Sequence, residues 1–263
     1  MDTATSADGT TIAYDVWGTG PVAVIVGGAF NDRNTWAELA AALAADGFTA
    51  VSYDRRGRGA SGSTEPYAVE REIEDLAAVI AAAGGGEPVY AHGVSSGGAL
   101  LLRAAAGGLP VTRLSVLEPP YRVPGAPPAP PNYTATLQRY VDAGDRDGVV
   151  EYFQTQVVGL PAGMVESFKG TPMWQSLCAM APTLVNDGLV LGGDDHSLPV
   201  DLLASVQVPA LLVTSSGTAG WLSQTAEPVA AALPAGEWVR LEGEYHQVPP
   251  VVLAPALAAF YRG

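Results

Sequence analysis

The run Pro88-Val89-Tyr90-Ala91-His92-Gly93-Val94-Ser95-Ser96-Gly97-Gly98-Ala99-Leu100-Leu101-Leu102 restricts this chain more than any other stretch. Its short apolar segment reads as a buried strand, and the Ala/Leu-rich segment after Gly98 reads as a helix. Between them stands Gly93-Val94-Ser95-Ser96-Gly97, a G-x-S-x-G pattern. A serine at the tip of so tight a turn has a strained backbone, and the flanking segments nearly touch. Glycine two residues before and two after removes Cβ atoms that would collide. Such a turn lifts the Ser95 hydroxyl above a sheet and aims the free N–H groups of a helix N-terminus at the same place. The plainer alternative is a Gly/Ser loop between two core elements.

The surrounding pattern fits a strand-turn-helix unit inside a larger sheet. Asp8-Gly9 predicts a hairpin leading into Thr11–Trp17, and Val22–Val26 a strand buried on both faces. A helix over Thr35–Ala45 stops at Asp46-Gly47, and the strand Phe48–Tyr53 follows. Tyr67–Ala83 is a helix closed by Gly84-Gly85-Gly86, and after the serine turn and its helix comes the strand Val111–Leu117. This alternation predicts βαβ units and a parallel sheet. At Glu118-Pro119-Pro120 the rhythm breaks into a proline-rich linker, and residues 132–205 read as short helical pieces. Alternation resumes with Val208–Thr214, a helix near Leu222–Leu233, Trp238–Leu241 and a last helix over Pro250–Tyr261. The expected organisation is a core of residues 1–118 and 206–263 with a helical insert, 119–205. The insert reads as a lid over the carboxyl ends of the strands, where open α/β sheets bind ligands.

A formal net charge of −14 and a single lysine, Lys169, leave no basic run to replace phosphate counterions. Nucleic acid and anionic membrane surfaces are therefore not expected partners. No basic segment followed by an apolar one stands near Met1, and no apolar run reaches membrane-spanning length. The expectation is a soluble cytoplasmic protein. Cys178 is the lone cysteine, so neither an internal disulfide nor metal-ligand spacing is available, and it reads as a packing residue.

A nucleophilic serine needs a base, and the chain has three histidines. His92, at the end of the strand before the serine turn, reads as a wall residue or as one standing behind the residues that line the site, not as the base. His196, in Gly192-Gly193-Asp194-Asp195-His196, reads as part of a solvated loop. His246 stands between the last strand and the last helix, where a loop returns over the carboxyl edge of the sheet, and is the candidate base. Glu118 directly follows an apolar strand and is costly there unless paired. It is the candidate acid, with a salt bridge to an arginine as the alternative. Asp194 and Asp195, in the insert, are weaker candidates.

The serine turn, the Gly27-Gly28 loop, the Asp54–Gly62 turn and the late His246 together resemble the α/β-hydrolase superfamily over nearly the whole chain. The resemblance implies an eight-stranded, mostly parallel sheet and a catalytic order of Ser, acid, His. It also implies an oxyanion hole from the backbone N–H of Ser96 and of Ala29, or of Phe30 in its place. The chain departs from the usual pattern at the acid. The common aspartate site after Val208–Thr214 holds Ser215-Ser216-Gly217-Thr218-Ala219-Gly220, with no carboxylate. With Glu118-Pro119-Pro120 at the preceding strand end, the sequence is similar to lactone hydrolases that open zearalenone-type macrolactones. Their lid tryptophan has a counterpart in Trp174, and Phe30, Tyr121 and Trp221 complete the candidate substrate contacts.

The expected function is hydrolysis of a small hydrophobic ester or lactone through Ser95, Glu118 and His246, with no cofactor and no metal. A homodimer is the candidate assembly. Two alternatives remain open on the same scaffold: a non-hydrolytic lyase or cyclase, and a ligand-binding protein without turnover. Arg55, Arg56 and Arg58 lack a phosphate-loop lysine and read as a turn packed by arginine salt bridges.

Overall fold

The computed structural model describes residues 1–84 and 89–263. Its strands are β1 (Asp2–Thr5), β2 (Thr11–Trp17), β3 (Val22–Val26), β4 (Thr49–Tyr53), β5 (Val89–Val94), β6 (Arg113–Leu117), β7 (Ala210–Ser215) and β8 (Gly236–Leu241). They form one sheet in the order β1-β2-β4-β3-β5-β6-β7-β8. The β1–β2 and β2–β4 pairings are antiparallel, and all the others are parallel. Helices α1 (Ala37–Ala45), α2 (Val69–Gly84) and α3 (Ser96–Ala106) alternate with the early strands. Between β6 and β7 come α4 (Tyr133–Asp142), α5 (Arg146–Tyr152), α6 (Ala162–Phe168), α7 (Pro172–Met180), α8 (Leu184–Val190) and α9 (Val200–Ala204). Helix α10 (Ala226–Ala232) follows β7, and α11 (Pro250–Arg262) ends the chain.

The β-branched run of β3 shows why this sheet is covered twice. Val22, Val24 and Val26 enter one core, with Leu76 and Val79 of α2 and Leu100 of α3. Ala23 and Ile25 enter the opposite core, with Leu39 and Leu43 of α1 and Leu253 and Leu257 of α11. Successive side chains of a strand point to opposite faces, so an uninterrupted apolar run needs helices on both. The helices between β6 and β7 have a third core of their own, including Leu137, Val149, Val165, Trp174 and Leu184.

The arginine turn after β4 pins that insert to the sheet. Arg55 pairs with Glu72 of α2 at 2.6 Å and with Asp187 of α8 at 2.7 Å. Arg58 reaches Asp187 at 2.7 Å, while Arg56 pairs with Asp75 at 2.7 Å. All three arginines are buried. Burial pushes the Asp187 carboxyl up, but Arg58, Arg55 and a hydroxyl from Ser96 outweigh it and hold the group below the ordinary carboxylate range.

Element boundaries shift slightly from the sequence expectation. Helix α2 begins at Val69, not Tyr67, whose hydroxyl donates instead to Glu72 at 2.7 Å. The helix expected near Leu222–Leu233 is split into a 3-10 turn, Gly220–Gln224, and α10. The expected stop at Gly84-Gly85-Gly86 lies partly outside the described residues. Among the described residues, no helix is long and apolar enough to cross a membrane.

Candidate active site

Ser95 occupies the crossing between β5 and α3 with φ 55° and ψ −125°, a conformation that L side chains rarely adopt. Its N–H donates to the Leu117 carbonyl at 2.9 Å. A Cβ at Gly93 would stand 2.5 Å from Gly98 Cα, and one at Gly97 would stand 2.3 Å from the Val26 carbonyl oxygen. Both glycines of the pattern are therefore steric necessities.

Strand β6 pairs directly with β5, Val94 opposite Leu117, so the residue after Leu117 emerges beside the serine turn. That residue is Glu118, wholly buried, with φ 44°. Its carboxylate is fully engaged. Oε1 accepts the Ser215 N–H at 2.8 Å, and Oε2 accepts from the Thr218 hydroxyl at 3.1 Å and stands 2.6 Å from His246 Nδ1. His246 arrives on the loop between β8 and α11 with φ 55°, and its own N–H donates to Thr218 Oγ1 at 2.8 Å. The Ser215–Gly220 segment, which reads as bare in the sequence, thus holds both the acid and the histidine. All three residues of the constellation sit in left-handed backbone, strain that surrounding bonds must offset.

Ser95 and His246 line one cavity of about 450 Å³. Among the described residues the Ser95 hydroxyl has no hydrogen-bond partner. Such contacts commonly tighten only when substrate binds. The Ala29 N–H likewise has no acceptor among the described residues, and Ser96 begins α3, so its N–H has none within the helix. Both residues face the cavity. The Ala29 loop is held by Gly28 N–H donating to Asn31 Oδ1 at 2.9 Å, and Ser96 by its hydroxyl donating to Asp187 at 2.7 Å.

The other expected contacts divide. Trp221 lines the cavity. Phe30 stands one residue beyond the cavity wall, its ring edge-on to Phe153 at 5.3 Å, and Phe153 takes the lining position. Tyr121 is wholly buried in the sheet core and does not reach the cavity. Trp174 does not either. It is 3% exposed within the insert's own core, and its indole N–H donates to Asp147. The insert builds a core of its own from residues such as Tyr133, Leu137 and Leu184, and its largest side chain is buried at that core while its N–H is satisfied by Asp147.

Of the other two histidines, one departs from expectation. Of the two places expected for His92, the structure shows the one behind the lining residues: it is buried 2.9 Å from the Ser115 hydroxyl, and burial lowers its pKa to about 3. His196 is not solvated but 4% exposed, lines the cavity and packs edge-on against Tyr133 at 5.0 Å. Asp194 and Asp195 are exposed: Asp194 accepts the Thr134 N–H in the first turn of α4 at 2.8 Å, and Asp195 accepts from the nearby Ser197 hydroxyl. Three contributors escaped the sequence reading: Arg122, Thr218 and Asp187. Only Asp187 left a signal, as a charged residue inside the apolar stretch Leu184-Val185-Asn186-Asp187-Gly188-Leu189-Val190. Among the described residues, no group of three or more His, Cys, Asp or Glu is placed to hold a metal ion.

A sequence model of the alpha/beta hydrolase family matches residues 23–259. An alpha/beta hydrolase structure from Sphaerobacter thermophilus is 46% identical, with a TM-score of 0.89, covering 99% of this chain and 100% of that one. A thermophilic esterase from Thermogutta terrifontis shares the fold at 22% identity and TM-score 0.72, covering 99% and 96%. An enol-lactonase from Burkholderia xenovorans does so at 19% identity and TM-score 0.67, covering 99% and 98%. Among curated proteins, none matches the chain.

Proposed function

This chain belongs to the alpha/beta hydrolase family, and we propose that it cleaves a carboxylic ester or lactone through an acyl-enzyme on Ser95. One observation carries the reading: Glu118 Oε2 stands 2.6 Å from His246 Nδ1, and His246 shares a cavity with a serine on a strained turn. In this mechanism His246 Nε2 takes the Ser95 proton as Oγ attacks the acyl carbon. Glu118 accepts the Nδ1–H bond, fixes the tautomer and stabilises the imidazolium. The Ala29 and Ser96 N–H groups bind the oxyanion, already oriented before the charge develops. His246 then protonates the leaving oxygen, and water, deprotonated by the same histidine, releases the acyl group. The reaction as written requires no cofactor.

A lactone is the finer reading. It is favoured by the acid at the end of β6, the feature in which the sequence resembles zearalenone-type lactone hydrolases. The mostly apolar cavity, with Phe153, Val157, Leu191 and Trp221 in its wall, suits a small substrate with a hydrocarbon body.

A fluorophosphonate probe combined with a panel of esters and lactones tests the proposal. Covalent labelling at Ser95, lost together with turnover in Ser95→Ala, is the expected result. Turnover that survives Ser95→Ala overturns it, and tight ligand binding without labelling points to a binding protein.

A further inference from the structure

One cation in the cavity wall has no counter-charge. Arg122, near the start of the insert, is tied to its far end through the backbone, its N–H donating to the His196 carbonyl at 2.7 Å. Its guanidinium carbon lies 3.7 Å from the centre of the Trp221 ring. Among the described residues the side chain forms no ion pair and no hydrogen bond, and its buried Nε has no acceptor. Arg33, Arg55, Arg56, Arg58 and Arg71 each pair with a carboxylate, and Arg103, Arg139, Arg146 and Arg262 have carbonyl or hydroxyl acceptors. Arg122 lines the cavity with neither among the described residues. Beside Arg122, the buried Nε2 of His196 is also without a partner among the described residues. Burial first, and then the charge of Arg122, lower the His196 pKa to about 4, so this histidine is neutral at pH 7.

Setting a partly desolvated cation in a wall without an anion is unfavourable. The chain has 27 acidic residues from which a partner could have come. The two carboxylates nearest the chemistry are already committed. Asp187 is taken by Arg55, Arg58 and Ser96, and Glu118 by Ser215, Thr218 and His246. A guanidinium stacked on an aromatic face keeps its N–H edge free for the planar fork of a carboxylate.

We propose that Arg122 docks a carboxylate carried by the substrate, so that the acyl bond presented to Ser95 belongs to a half-ester or lactone of a dicarboxylic acid. This rests on the hydrolase reading and narrows its substrate class. His196 supplies a second polar atom at that end, and Trp221 the apolar contact alongside it. A single uncompensated positive charge matches a carboxylate monoanion better than a phosphate dianion.

The test compares matched pairs, the monomethyl esters of glutaric and succinic acid against the dimethyl esters. Wild type should prefer the acids, and Arg122→Gln should cut that preference by about 10- to 100-fold, chiefly through KM. Arg122→Lys should recover part of it. Arg122→Met, which keeps a stem of similar bulk on Trp221, replaces the Gln variant if circular dichroism shows that the latter is unfolded. Calorimetric titration of Ser95→Ala with free glutarate gives a readout without turnover, and adding Arg122→Gln should abolish the heat. Glutarate binding that depends on Arg122, with no ester turned over, sustains the carboxylate site and removes the hydrolase reading. Turnover with no preference for the acids and no glutarate binding removes the site and leaves the hydrolase reading standing. Inorganic phosphate competing as well as glutarate overturns the assignment to a carboxylate.

Discussion

The Ser96 hydroxyl donates to Asp187 Oδ1 at 2.7 Å, joining the first turn of α3 to α8 across 91 residues of sequence. The amide assigned to the oxyanion is therefore braced by the insert and not only by its own helix. Asp187→Asn would leave Arg55 short of one buried anion and Arg58 without the one carboxylate it pairs with among the described residues. The expected cost is about 3–5 kcal/mol in urea unfolding. Ser96→Ala, which leaves both ion pairs in place, should cost less, about 1.5–3 kcal/mol. Equal stability losses in the two variants would contradict this division.

The three central residues should act as one unit. Ser95→Ala and His246→Ala should each lower kcat by about 10³-fold or more, and the double variant should be hardly worse than either. Glu118→Gln keeps the shape, removes the charge and should lower kcat by about 10²- to 10⁴-fold. Near-full kcat in Glu118→Gln would exclude this carboxylate as the acid.

Thr218 touches both partners of the Glu118–His246 pair, so it is a positioning residue. Thr218→Val removes the bond to the carboxylate and the acceptor for the His246 amide, and kcat should fall about 10-fold with KM little changed. Thr218→Ser should restore most of the loss. A change in KM alone would mean that the hydroxyl serves the substrate instead.

Stability should decline with acid in two stages. His92 and His196 have folded pKa values of about 3 and about 4, below the ordinary 6.5, so the unfolded chain binds protons that the folded one refuses. Their contribution is complete above 6.5 and is lost as pH falls toward those lower values, at up to about 1.4 kcal/mol per pH unit for each. Asp187 and Glu72, also held below their ordinary values, add a further loss below about pH 4. Denaturant midpoints between pH 7 and 4 measure the first stage, and His196→Gln should shrink it. A midpoint constant over that range would rule out the histidine contribution.

Trp174→Ala should lower stability by about 3–5 kcal/mol, because the indole fills the insert's core. Bulky and acetyl esters should be affected alike. A KM increase confined to bulky substrates would return Trp174 to the pocket wall.

The constellation was legible for reasons particular to its residues. Ser95 is framed by glycines that sterics demand, His246 stands on a sheet edge, and Glu118 ends an apolar strand where an unpaired carboxylate is expensive. These are local signals that survive without three-dimensional context. Arg122 and His196 carry no such signal, because a backbone bridge between distant parts of the insert brings them together. Tyr121 and Trp174 show the converse. An aromatic residue's place in the sequence does not say which side of a helix or loop meets the cavity. Nor could the Ser215 amide and the Thr218 hydroxyl announce that they cradle a carboxylate supplied by the neighbouring strand.

The left-handed backbone shared by Ser95, Glu118 and His246 has an evolutionary consequence. Each position holds a side chain where glycine would rest more comfortably. Glu118 and His246 also make hydrogen bonds that support the fold, whereas on the proposed mechanism only turnover keeps the awkward residue at Ser95. In a descendant released from that demand, Ser95 would be the first to drift, since its hydroxyl bonds nothing among the described residues. Ser95→Gly should accordingly melt no lower than wild type and gain about 1 kcal/mol, while Ser95→Ala should not. Differential scanning calorimetry of the pair decides it: a Ser95→Gly melting point below that of Ser95→Ala would show that the turn carries no such tension.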